Sequence, residues 1–134
     1  MKWLAAALML SGLPATAGPR DALQPYPRCF YDREVLQYCG IWSDVLAKGA
    51  ELACAEAREA AALDEEAAFR ARVQAAVAFD DEWQNRSNSG KRQWCLGEGR
   101  AAALFFFDRA LREHFKEPAG LAKETVPAPD QVRE

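Results

Sequence analysis

A chain of 134 residues has the length of one small domain, and half of its residues are hydrophobic, enough to favour a packed core over disorder. Its 17 Lys and Arg against 20 Asp and Glu give a net charge of −3, which argues against the basic surface that nucleic acid requires. One histidine and four cysteines without a Cys-x-x-Cys argue against a Cys/His zinc site and thioredoxin-like redox chemistry, so no metal or cofactor is expected.

The first seventeen residues, "MKWLAAALMLSGLPATA", have the layout of a secretory signal. Lys2 supplies the positive start, Trp3 to Leu10 the apolar run, and Ala15-Thr16-Ala17 a small-x-small cleavage site. The run is far shorter than the roughly 20 residues that span a bilayer as a helix, so cleavage is expected rather than a transmembrane anchor. This places the chain in the periplasm or outside the cell. Residues 18–28, with Pro19, Pro25 and Pro27, read as an irregular N-terminal arm. Residues 118–134 hold three further prolines and little apolar periodicity, and read as a disordered tail.

Residues 29–117 are then the domain, and the expected fold is all-α. It is a small disulfide-stapled bundle of three long helices, with room for a short additional helix at its start. Val35, Cys39, Trp42, Leu46, Gly49 and Ala53 alternate at spacings of four and three, the seam of an amphipathic helix. Gly40 can close a short helix from about Tyr31, after which Ser43 caps a second running to Ala62. Asp64 caps a third, with Phe69, Val73, Ala76 or Val77, and Trp83 on its apolar side. A last helix from about Gly99 to Lys116 gathers Ala103, Leu104, Phe107, Ala110, Leu111 and His114 on one side.

An even cysteine count in an oxidising compartment reads as two disulfides. In one straight helix Cys39 and Cys54 would stand roughly 22 Å apart, against the 4.4–6.8 Å (roughly) that a disulfide spans between alpha carbons. Antiparallel helices broken at Gly40 would instead bring Cys29 to Cys54 and leave Cys39 near Cys95. Pairing 29–54 with 39–95 is favoured, and 29–39 with 54–95 is the alternative.

The polar stretch from Trp83 to Cys95, "WQNRSNSGKRQWC", interrupts this pattern. Asn85, Ser87, Ser89 and Gly90 mimic the start of an EF-hand loop, but Leu96 stands where the bidentate glutamate belongs, beside Lys91 and Arg92. The simpler reading is a long connection from Asn85 to Glu98, with Trp83 and Trp94 plugging the bundle end. Its basic tip of Arg86, Lys91 and Arg92 is solvated charge or a contact for an acidic partner. Phe105 points away from Leu104 and Phe107, towards Arg109 and Arg112. It is covered by the arm around Tyr26, or it is an exposed aromatic framed by arginines, as interface anchors are.

The functional expectation is an exported protein-binding accessory, inhibitor or assembly factor with a protein partner in the cell envelope. Its interface would use Phe105, Arg109, Arg112, Arg86, Lys91, Arg92 and Trp94. No catalytic residue is assigned, because His114 reads as a neutral core histidine with no nucleophile placed beside it. The alternative is a small-ligand binder or hydrolase acting on envelope material, which requires a groove exposing His114 beside a carboxylate. A third possibility is a structural protein that self-associates.

Overall fold

Three short polar side chains set where the helices begin. In the computed structural model, which describes residues 19–116, Ser43 accepts a hydrogen bond from the Leu46 amide at 3.3 Å. Asp64 accepts from Ala67 at 2.8 Å, and Ser87 accepts from Gly90 at 3.2 Å. Each satisfies an amide that the first helical turn leaves without a partner. The helices are α1 (Pro19–Ala22), α2 (Pro25–Tyr38), α3 (Asp44–Ala60), α4 (Glu65–Gln84), α5 (Asn88–Trp94) and α6 (Arg100–Lys116). A single π-helical turn, Cys95–Gly99, joins α5 to α6. Among the described residues there is no strand. The proposed leader and tail, residues 1–17 and 118–134, lie outside the described residues.

Two helix ends close in the same way. Gly40 takes a left-handed φ of 69°, its N–H bonds to the Gln37 carbonyl, and that of Ile41 reaches back to Leu36. Ala62 adopts φ 50° and repeats the pattern with Glu59, while Leu63 bonds to Arg58. Both are Schellman closures, one with the residue that tolerates the conformation and one without.

The central element is α2. It packs along α4 on one side and touches α3 and α6 on the other, while α3 lies against α6 along most of its length. Cys29, Leu36, Leu46, Ala50, Ala53, Cys54, Ala102 and Phe106 form one core cluster. Leu23, Tyr31, Val35, Ala75 and Trp94 form the other, across α2. The structure links Cys29 to Cys54 and Cys39 to Cys95, each with alpha carbons 5.6 Å apart. One bridge ties α2 to α3, and the other ties the end of α2 to the π turn. The all-α, doubly stapled bundle is therefore the architecture of this chain.

Three local readings need correction. The arm is helical over Pro19–Ala22 and again from Pro25, because prolines in a first turn lack only an amide that has no helical partner there. The long connection shrinks to Asn85–Ser87: Ser87 caps a new helix, and the chain stays helical through Gly97 and Gly99 to Lys116. The inward faces of α4 and α6 also differ from the periodicity reading. Helix α4 buries Ala68 and Ala75 and turns Phe69, Val73 and Val77 outward. Helix α6 buries Ala102, Phe106 and Arg109, leaving Leu104, Phe107 and Leu111 exposed.

The physical reason is close approach. A β-carbon built on Gly49 of α3 would fall 1.9 Å from the Phe106 carbonyl oxygen of α6, so the two backbones meet directly. Gly49, Ala50 and Ala53 form the surface that admits α6 this closely, and Ala102 faces them. Large side chains on the inner faces would hold the helices apart.

Candidate interaction surface

The residues assigned to an interface do not form one surface. Trp94 is 2% exposed, and its indole N–H donates to the Glu98 carboxylate. It cannot present a face to a partner. Arg109 is 5% exposed and clamps α6 to α3 through Glu56, with a second bond to Glu113 at 3.2 Å. The Arg109 guanidinium holds the Glu56 carboxyl below the usual carboxylate range, and the pair raises Arg109 in turn. Arg109 is therefore a structural clamp rather than a frame for Phe105.

Arg86 bonds to Glu82 and lies 5.4 Å above the Trp94 ring. Lys91 stands 3.2 Å from the centroid of Trp83, and Trp83 in turn packs on Tyr38. Two of the three basic-tip residues are thus engaged within the fold by cation–π contacts. Arg92 remains outward, beside Tyr38, Leu96 and the Cys39–Cys95 bridge. Phe105 is 45% exposed, and its cationic neighbour is Arg20 of α1, 5.8 Å from the ring. Arg112 is exposed and paired with Asp108 at 3.1 Å.

His114 also departs from expectation. It is exposed rather than a core histidine, and it lines an open groove of about 410 Å³ between the start of α3 and the end of α6. Val45, Phe107, Ala110 and Leu111 make the groove apolar, and Asp44, Lys48 and His114 are its ionisable members. A carboxylate is thus present in the same groove as the imidazole. No serine, threonine or cysteine lines it. Such a site can bind an amphipathic group, and it offers no hydroxyl or thiol nucleophile beside the imidazole.

Two features were invisible at the level of single residues. The first is a buried polar network. The Tyr31 hydroxyl donates to Glu98 Oε2 at 2.7 Å, the same oxygen that Trp94 engages, while Oε1 is buried without a partner. Burial, then the adjacent Glu98, pushes the Tyr31 phenol far up. Nearby Asp32 is fully buried and accepts from Arg20 at 2.9 Å, and burial outweighs the guanidinium to lift its pKa to about 6. Both networks tie α2 to its neighbours: Glu98 to the π turn, Arg20 to α1.

The second is the pair of outward apolar faces. On α4, Phe69 is 60% exposed, with Val73 and Val77 one and two turns along the same face. On α6, Leu104 is 58% exposed and Phe115 72%, with Phe107 and Leu111 between them. Among the described residues no group of His, Cys, Asp and Glu is arranged to hold a metal ion, and no helix is long and apolar enough to cross a membrane. In comparisons with known proteins, no family model matches the chain, and neither does any curated protein or solved structure.

Proposed function

We propose that the chain is an exported protein-binding module whose partner covers its outward apolar faces. The observation that carries this reading lies on α4 and α6: Ala68, Ala75, Ala102 and Phe106 face inward, while Phe69, Val73, Val77, Leu104, Phe107 and Leu111 point to solvent. Large contiguous apolar patches on a folded domain mark interaction surfaces. The export half of the reading is supported by the leader pattern over residues 1–17 and by two disulfides, which persist in oxidising compartments such as the periplasm.

An accessory, inhibitor or assembly role all follow from binding alone. The test is a crosslinking pull-down from periplasmic extract with the parent protein and its Phe105→Glu and Leu104→Glu variants, each checked for parental helicity. A protein captured by the parent and lost with Leu104→Glu supports docking through α6. Loss with Phe105→Glu extends the contact towards α1 and Arg20. Capture unchanged by either substitution removes the α6 surface from the proposal.

A second reading has its own observation, the exposure of His114 in a groove with Asp44 and Lys48. In it the protein binds a small amphipathic ligand from the cell envelope, or hydrolyses one with His114 activating water. Binding or turnover of envelope fragments that survives His114→Ala would end this version.

A further inference from the structure

We infer that the Cys39–Cys95 bridge is a thiol–disulfide exchange site, opened by a dithiol reductant that does not reach Cys29–Cys54. The inference needs only the two bridges and stands apart from the protein-binding reading. The bridges differ in access, and exchange requires an attacking thiolate to reach a sulfur. Cys29 is 2% exposed and Cys54 7%, and both lie inside the core cluster with Leu36, Leu46 and Phe106. Cys39 and Cys95 are half-buried, and both line an open concavity of about 420 Å³ at the end of α2. Tyr38, Lys91, Arg92 and Leu96 complete its wall.

The charge of that wall suits an anionic attacker. Lys91 and Arg92 line it and no carboxylate does; Lys91 keeps its ammonium over Trp83, and Arg92 points outward. Both precede Cys95 by one helical turn, since the Cys95 amide bonds to their carbonyls, and side chains at that spacing are neighbours. Cys39 instead ends α2, its amide bonded to the Val35 carbonyl, where the helix dipole opposes negative charge. The departing charge therefore belongs on Cys95. The attacking thiolate bonds to Cys39 Sγ, the Cys39–Cys95 bond breaks, and its electron pair leaves on Cys95 Sγ, which takes a proton from water. The reductant's second thiol gives up its proton and displaces Cys39 Sγ from the mixed disulfide. The bridge is thereby reduced to two thiols, and the dithiol is oxidised to its own disulfide. Opening acts on the π turn, because a β-carbon on Gly99 would meet Cys39 Sγ at 3.6 Å. Tyr31 still bonds to Glu98, and Cys29–Cys54 still joins α2 to α3, so the loosening is confined to the π turn and the adjoining Trp94.

The test exposes the oxidised protein to dithiothreitol, traps thiols with iodoacetamide at intervals and maps the labelled cysteines by mass spectrometry. Cys39 and Cys95 should be labelled first, at a rate proportional to reductant. Their initial rate should exceed that of Cys29 and Cys54 by at least about a hundredfold, because the buried bridge waits on opening of the core. The near-ultraviolet signal of Trp94 should change with that labelling while far-ultraviolet helicity holds. The inference is overturned by all four cysteines labelling in step, or by a rate independent of reductant concentration, since the fold must then open first. Labelling without change at Trp94 refutes the link to the π turn. The charge argument is read with 2-mercaptoethanesulfonate and 2-mercaptoethanol, compared at equal thiolate concentration and low ionic strength. The parent should react faster with the sulfonate, and Arg92→Glu, at an exposed position, should cut that preference by about fivefold. An unchanged preference refutes the cationic assistance.

Discussion

Replacing Gly49 by alanine tests the feature on which the whole arrangement depends. In an ordinary helix interior this substitution stabilises by about 1 kcal/mol, because glycine loses more backbone freedom on folding. Here the new β-carbon would lie 1.9 Å from the Phe106 carbonyl oxygen and 2.6 Å from its carbonyl carbon. Both obstacles are backbone atoms in mid-helix, so no side-chain rotation relieves them. Helix α6 would have to retreat by about 1 Å, and a gap of that size forfeits roughly a quarter to a half of each dispersion contact across it. The contacts at risk are those of Ala50, Ala53, Ala102 and Phe106. Retreat is resisted further along by the Arg109–Glu56 clamp and behind by the Cys39–Cys95 bridge. Overpacking of this kind costs about 1–3 kcal/mol and sometimes more; with backbone as the obstacle the upper part of that range applies. After the helix-propensity gain, a net loss of about 2 kcal/mol remains, equivalent to roughly 8–16 °C in Tm for a domain of this size. Thermal unfolding followed by circular dichroism measures it. Gly97→Ala is the control, since nothing lies within 4 Å of its added β-carbon, and its Tm should not fall. A Gly49→Ala protein that melts at or above the parent's temperature would refute the close α3–α6 crossing.

Asp32 should give the protein an unusual pH dependence. Its folded pKa of about 6 lies above the ordinary 3.8, so the native state binds the proton more tightly; its contribution is best below about pH 4 and is lost as pH rises through 6. The loss approaches about 3 kcal/mol by pH 7, and Asp32→Asn should flatten this part of a urea-stability profile; an unchanged slope would exclude Asp32 as its source. Glu56, held low by Arg109, acts oppositely and loses its contribution only as pH falls through its depressed folded pKa. The two Schellman closures make a reciprocal pair: Gly40→Ala should destabilise and Ala62→Gly should stabilise, each by about 1 kcal/mol. Equal signs in the two melting shifts would contradict the left-handed assignments. Replacing Cys39 and Cys95 together by serine releases a link across 56 residues, worth about 4 kcal/mol by chain entropy, against about 3.5 for the 25-residue Cys29–Cys54 link. The Cys39/Cys95 variant should also lose near-ultraviolet signal from Trp94, and a parental melt and spectrum would deny that this bridge fixes the π turn.

How much of this could be read from the residues depended on how local the cause was. Ser43, Asp64 and Gly40 act within a few residues of themselves, and their roles follow from side-chain reach and backbone sterics alone. Ser87 acts in the same way and was available to the same reasoning, but the neighbouring Asn, Ser and Gly residues disguised a helix start as a loop. The faces of α4 and α6 were not legible. Apolar residues encircle both helices, most plainly at Leu104 to Phe107, so periodicity offers more than one inward side. The choice falls to Gly49 meeting the Phe106 backbone across 57 positions of sequence, a relation that no window along the chain contains. Arg109 and His114 were misplaced for the same reason, since both lie on α6, whose rotation was set by a distant partner, whereas Trp94 is buried as the bundle-end plug reading expects.

That rotation also connects the disulfides to the proposed function. Beside Leu36, Leu46 and Phe106 the core is lined by Ala50, Ala53, Ala68, Ala75 and Ala102, and it removes less apolar area from water than it would with the exposed phenylalanines and leucines inside as well. A domain this short has little stability to give up. The two bridges offset the deficit by restricting the unfolded chain, an effect that does not depend on how much apolar surface the folded state buries. Stability supplied in this way leaves Phe69, Val73, Val77, Leu104, Phe107 and Leu111 free to remain outside. Leu104, Phe107 and Leu111 turned inward would bury more apolar surface, but they would hold the backbones of α3 and α6 apart. The small side chains at the α3–α6 crossing, the two disulfides and the large outer side chains are thus one arrangement, and the proposed binding role is the one that would use those outer faces.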